Sequence, residues 1–165
     1  MKMRKIALNL TLLVFGLASL ALAAAQVTMD TIAEKQETVV VDGVEQSSYV
    51  PADVTVPGDI LRFTLLYANA GDTTASGVVL NNPIPQGTVY LTDSAIDTVE
   101  TQALFSIDGG VTYASPKELT HSVTLPNGRI EQQVAPAEKY THVRWIIGDI
   151  AAGASGQVSY KALIL

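Results

Sequence analysis

From residue 27 onward, apolar positions recur mostly at every second place, in short runs separated by Gly, Asp, Asn and Pro. Successive side chains of a strand point to opposite faces, so such runs predict antiparallel strands with one buried side. The clearest is residues 61–69: Leu61, Phe63, Leu65 and Tyr67 share one face, and Arg62, Thr64 and Ala68 the other, with Leu66 the exception. Val143, Trp145 and Ile147 share a face in a later run, and Val158, Tyr160, Ala162 and Ile164 form the inward set of the last. Val27, Met29 and Ile32 open a first strand, and Val39-Val40-Val41 leads into Asp42-Gly43, a hairpin pair because both residues tolerate positive φ. Residues 47–56 continue extended, and Pro51 and Pro57, which cannot donate to a ladder, place them at an edge or boundary.

Further strands are expected at 77–80 and 88–91. Between them Pro83-Ile84-Pro85 cannot sit inside a ladder, so this piece should cross between sheets. Asp108-Gly109-Gly110, between residues 104–107 and 111–113, is a second hairpin signal; Pro126-Asn127-Gly128, after Val123 and Leu125, is a third. The best helical period after residue 26, at 31–37, is too short and polar to form a helix. Seven to nine strands at this spacing, with no internal repeat, predict one antiparallel β-sandwich.

The first 25 residues stand apart. Lys2, Arg4 and Lys5 precede an apolar stretch from Ile6 to Ala23 that ends in Ala21-Leu22-Ala23-Ala24-Ala25. A basic start, an apolar middle and small residues at alternate positions predict a signal peptide cleaved after Ala23 or Ala25. The competing reading is an uncleaved anchor with its positive end inside; Asn9, Thr11 and the alanine cluster favour cleavage. The expected organisation is a signal peptide over 1–25 and a single domain over 26–165, secreted or periplasmic.

Removing the leader leaves seven of the ten Lys and Arg against all sixteen Asp and Glu, a net charge near −9. Such a surface repels phosphate backbones and anionic lipid, so neither nucleic acid nor a membrane surface is an expected partner. No cysteine is present, which excludes disulfides, thiolate metal sites, a cysteine nucleophile and a lipid-anchored cysteine together. The domain must hold by packing alone, as a chain of about 140 residues can.

Candidate chemistry is sparse. His121 and His142 are far apart with no acidic cluster beside them and read as surface residues rather than metal ligands. Ser155, in Gly153-Ala154-Ser155-Gly156, lacks the Gly-x-Ser-x-Gly spacing of an exposed nucleophile and reads as a turn. Asp72, Asp93, Asp97, Asp108 and Asp149 suit calcium chemically, but none forms Asp-x-Asp-x-Asp, and they read as solvated turn residues. The glycine pairs precede no helix that would cradle a phosphate. Trp145, the sole tryptophan, reads as a core anchor because its alternation partners are Val143 and Ile147. No catalytic, cofactor-binding or metal-binding residue is assigned, no cofactor is expected, and the expectation is a protein that is not an enzyme.

Val56-Pro57-Gly58-Asp59, the strand ending in Asn69-Ala70-Gly71-Asp72, and Val78-Val79-Leu80-Asn81-Asn82-Pro83-Ile84-Pro85-Gln86-Gly87 resemble the conserved-repeat Ig-like domain family of bacterial and archaeal surface proteins. Asn82 stands where the family commonly has Asp. Phe105-Ser106-Ile107-Asp108-Gly109-Gly110 and Trp145 followed by Gly148 to Gly156 resemble the downstream half, so the likeness covers about residues 27–165. The resemblance implies an Ig-like sandwich of the cell envelope with no known catalytic residues; this chain carries one copy where large adhesins carry many. The expected function is a structural or interaction domain whose partners are other envelope or extracellular proteins or itself, joined by strand addition through the stretch at 26–41. The alternative is a secreted ligand- or carbohydrate-binding module, which would need Tyr49, Tyr90, Tyr113 and Tyr140 gathered on one exposed face.

Overall fold

A computed structural model describes residues 24–95 and 101–165; residues 1–23, where a signal peptide is expected, and Asp97 lie outside the described residues. The strands are β1 (Val27–Val41), β2 (Val44–Pro51), β3 (Ile60–Asn69), β4 (Ala75–Pro83), β5 (Thr88–Tyr90), β6 (Thr101–Ser106), β7 (Thr120–Thr124), β8 (Ile130–Val134), β9 (His142–Ile150) and β10 (Ser155–Ile164). One sheet has the order β2-β1-β3-β10-β5, a second β4-β9-β6, and β7 and β8 form a separate ribbon. All the pairings between these strands are antiparallel. The expected all-β sandwich is there, with eight strands in its two sheets. Among the described residues no helix is long and apolar enough to cross a membrane.

The alternation seen in the sequence builds the core. Leu61, Phe63 and Leu65 of β3 and Val158, Tyr160 and Ala162 of β10 are buried, facing Val143, Trp145 and Ile147 of β9 and Leu80 of β4. Trp145 and Tyr160 are fully buried, with ring centroids 6.1 Å apart, and Phe63 stacks on Tyr160 at 5.1 Å. Burying each such side chain stabilises by about 1.5–3 kcal/mol. The Tyr160 hydroxyl accepts from Asn82 Nδ2 (2.9 Å) and donates to the Pro83 carbonyl (3.2 Å). Burial raises its pKa far above the ordinary phenol value, so it stays neutral.

The Pro-Ile-Pro piece crosses between sheets as expected. β4 ends at Pro83 in the smaller sheet, Ile84 is buried with its amide on the Thr141 carbonyl (2.8 Å), and β5 starts at Thr88 in the larger sheet. The third hairpin signal gives the β7–β8 ribbon. The second does not give a two-stranded hairpin: among the described residues only the Phe105–Ala114 bridge pairs across it. The Asp108 carboxylate explains this, because it accepts from the Val111 and Thr112 amides (3.1 and 2.9 Å) and the Thr112 hydroxyl (2.6 Å), turning inward the donors a return strand would offer.

The register of the large sheet fixes two further facts. β1 and β10 lie parallel to one another on either side of β3. β2 and β3 lie on opposite sides of β1, so residues 52–59 must pass over β1 to connect them.

Candidate interaction surface

The first strand is longer than its alternation predicts. β1 runs unbroken for 15 residues, through the polar stretch Glu34-Lys35-Gln36-Glu37. Residues 27–35 pair with β3 and residues 34–41 with β2, so among the described residues only Glu34 and Lys35 have strands on both sides. At 27–33 the edge away from β3 carries no strand among the described residues, with the Ala33 carbonyl accepting from the Ala52 amide. At 36–41 the opposite edge is bare among the described residues. The second half of β1 and most of β2 therefore form an arm beyond the end of β3. Six residues of strand reach about 20 Å.

The tip of the arm follows the sequence. Asp42 and Gly43 take φ of 52° and 80°, the left-handed pair of a two-residue hairpin, which glycine adopts without strain. Cross-strand partners share a face, so Val39, Val41 and Val44 line one side of the arm, on the face that carries Leu61 and Phe63 farther along the sheet. Here no second sheet of the described residues covers them: Val39, Val41 and Val44 are 38%, 45% and 60% exposed, and Val40, on the reverse side, is 68% exposed. The same mismatch leaves Met29, on the core-side face of β1, 48% exposed, because a three-stranded sheet stands opposite a five-stranded one. An open cleft of about 560 Å³ crosses β1, β3 and β10 beside it, lined by Met29, Leu66, Tyr67 and Gly156 among others.

The root of the arm is held on the outer face. Arg62 of β3 binds Glu34 Oε2 at 2.6 Å, and its guanidinium lies 3.5 Å over the Tyr49 ring of β2. Lys161 of β10 donates to Gln36 Oε1 at 3.0 Å. Four strands are thus joined by one polar cluster, all of it at alternate positions facing away from the core. The sequence signal for it was the alternation of polar residues at 34, 36 and 62, which says that a face is polar but not which strands it joins.

The N-terminal end of β1 is fastened differently. Asn69, 1% exposed, accepts from the Gln26 and Gly71 amides (both 3.1 Å) and donates to the Thr73 and Ile150 carbonyls (2.7 and 2.9 Å). Ala24 and Asp72 bond reciprocally: the Ala24 amide donates to Asp72 Oδ1 (2.7 Å), and the Asp72 amide to the Ala24 carbonyl (3.2 Å).

The residues weighed for chemistry fall apart in space. Among the described residues no three His, Asp or Glu side chains form a group that could hold a metal. His142 opens β9 half-buried with Nδ1 3.2 Å from the Thr141 hydroxyl, and His121 lies in β7, also half-buried. Ser155 opens β10 on the rung of Ala68. Asp72 holds the Ala24 amide, and Asp93 and Asp149 are exposed, Asp93 in a left-handed turn at φ 59°. Asp108 is saturated by its own loop: hydrogen bonds from Thr112 first, then Ser106, hold its carboxyl well below the usual carboxylate range.

The four tyrosines named for a ligand platform do not gather. Tyr90 and Tyr140 are buried in the core and packed against Phe105, at 4.7 and 4.8 Å, and burial raises both pKa values. Tyr49 lies under Arg62, and Tyr113 under Arg144 at 3.6 Å. Comparison with protein-family models, with curated proteins and with solved structures found no match.

Proposed function

We propose that this chain is an exported, non-catalytic structural domain of the cell envelope or extracellular space that joins a neighbour, most simply a second copy, by strand addition at β1. One observation carries the reading: among the described residues β1 has strands on both sides at two of its fifteen positions, leaving bare ladder edges at both ends. Exposed edges of this kind are templates for another strand unless charge, proline or a covering loop blunts them. The valine stripe at the tip supplies apolar contact along the same surface. The likeness of residues 27–165 to the conserved-repeat Ig-like domains of surface proteins, and the leader-like first 25 residues, support the export and the envelope setting.

Size-exclusion chromatography with light scattering on the chain without its leader tests this. A species that grows with concentration or time, and that reverts to monomer when Val39 and Val41 are changed to Lys, is the expected result. A monomer at every concentration and salt level would rule out self-assembly and leave a heterologous envelope protein as the partner.

A further inference from the structure

The leader offers two equivalent cleavage points. A cut after Ala23 places Ala21 and Ala23 in the two small-residue positions, and a cut after Ala25 places Ala23 and Ala25 there. The folded domain treats the two products differently. A chain beginning at Gln26 keeps the Gln26–Asn69 bond and loses both bonds between Ala24 and Asp72.

Gly71 independently marks the same place. Unlike Gly58 and Gly87, it has no positive φ to account for it. A side chain there would collide with the Ala24 carbonyl, and its Cβ would lie 2.6 Å from the Gln26 nitrogen and 2.8 Å from Ala25 Cα. The bare backbone of residue 71 is a seat for residues 24–26, and the neighbouring carboxylate is aimed at the Ala24 nitrogen. Before cleavage that nitrogen is a neutral amide; after a cut at Ala23 it is an ammonium, and the 2.7 Å bond becomes charge-assisted.

We infer that processing frees Ala24 as the mature N-terminus, and that Gly71 and Asp72 form the site that captures its new ammonium group. The inference rests on the export reading above. It gives the β3–β4 turn a task besides reversing the chain, since the charge that fastens the start of β1 exists only in processed protein.

The full chain is expressed in a bacterial host, and the exported product is measured by intact mass and N-terminal sequencing. A chain starting at Ala24 is the expected product; one starting at Gln26 overturns the assignment of the cut. Full-length protein retained in the membrane fraction would instead sink the cleaved-leader reading. The seat is tested apart from export, with chains starting at Ala24 and at Gln26 released from a tag that leaves no extra residue. The Ala24 chain is expected to melt about 3 °C higher, and Asp72→Asn to remove most of that difference while leaving the Gln26 chain unchanged. Equal melting temperatures for the two chains, or an equal effect of Asp72→Asn on both, would refute the captured terminus.

Discussion

Trp145 is at once the largest fully buried side chain among the described residues and one with an unanswered donor: its Nε1 has no hydrogen-bond partner among them. Its contribution is therefore packing. Trp145→Ala should cost about 3–5 kcal/mol through the cavity it leaves, read from urea unfolding, whereas Trp145→Phe, which removes the orphaned donor along with part of the volume, should cost less than half as much. Asn69 is the opposite case, a buried amide with every hydrogen bond made. Asn69→Ala should cost about 1–3 kcal/mol because amides and carbonyls from three segments lose their partner together. Asp108 carries a pH signature. Its folded pKa lies below its ordinary 3.8, so its contribution is complete above that pH and is lost as pH falls through the folded value. Acid unfolding of Asp108→Asn should show a stability gap from the parent that is full at pH 5 and shrinks below pH 4.

The strands were legible wherever one face meets the core and the other meets water, as in β3, β9 and β10, because a period of two is imposed only by one-sided burial. β1 was harder to read for the same reason. Its residues 29–41 alternate poorly because neither face is covered: Glu34 and Gln36 serve the outer-face cluster, while Lys35 and Glu37 pair with each other on the reverse face. The Asp42-Gly43 turn could be read directly, but the arm it ends could not, since pairing partners are set by where β3 begins. The loop at 108–112 misled because Asp-Gly-Gly carries the signal of a hairpin while the Asp108 carboxylate takes up the amides. Gly43→Ala, at φ 80°, should destabilise the arm by about 1–2 kcal/mol, visible as faster amide exchange at 36–48. Val39→Lys and Val41→Lys should change thermal stability by no more than about 0.5 kcal/mol each, so any loss of assembly in them reports on contact between molecules.

As a whole the chain is acidic, with a net charge of −6 over residues 1–165 and near −9 over residues 26–165. Copies that meet edge to edge must overcome that repulsion, which reaches about 30 Å at 0.01 M salt and about 8 Å at 0.15 M. Assembly through β1 should therefore strengthen as salt rises, the reverse of a contact built on ion pairs, and sedimentation across a salt series separates the two. The placement of β1 and β10 beside β3 has a mechanical consequence. The start of β1 lies by Asn69 and the finish of β10 by Ile60, at opposite ends of the shared strand. Tension applied between the two termini pulls along the strands and loads both ladders in shear, so their hydrogen bonds must give way together rather than unzip one at a time. A chain tethered at one terminus and tugged at the other would resist in the geometry that strand pairing withstands best.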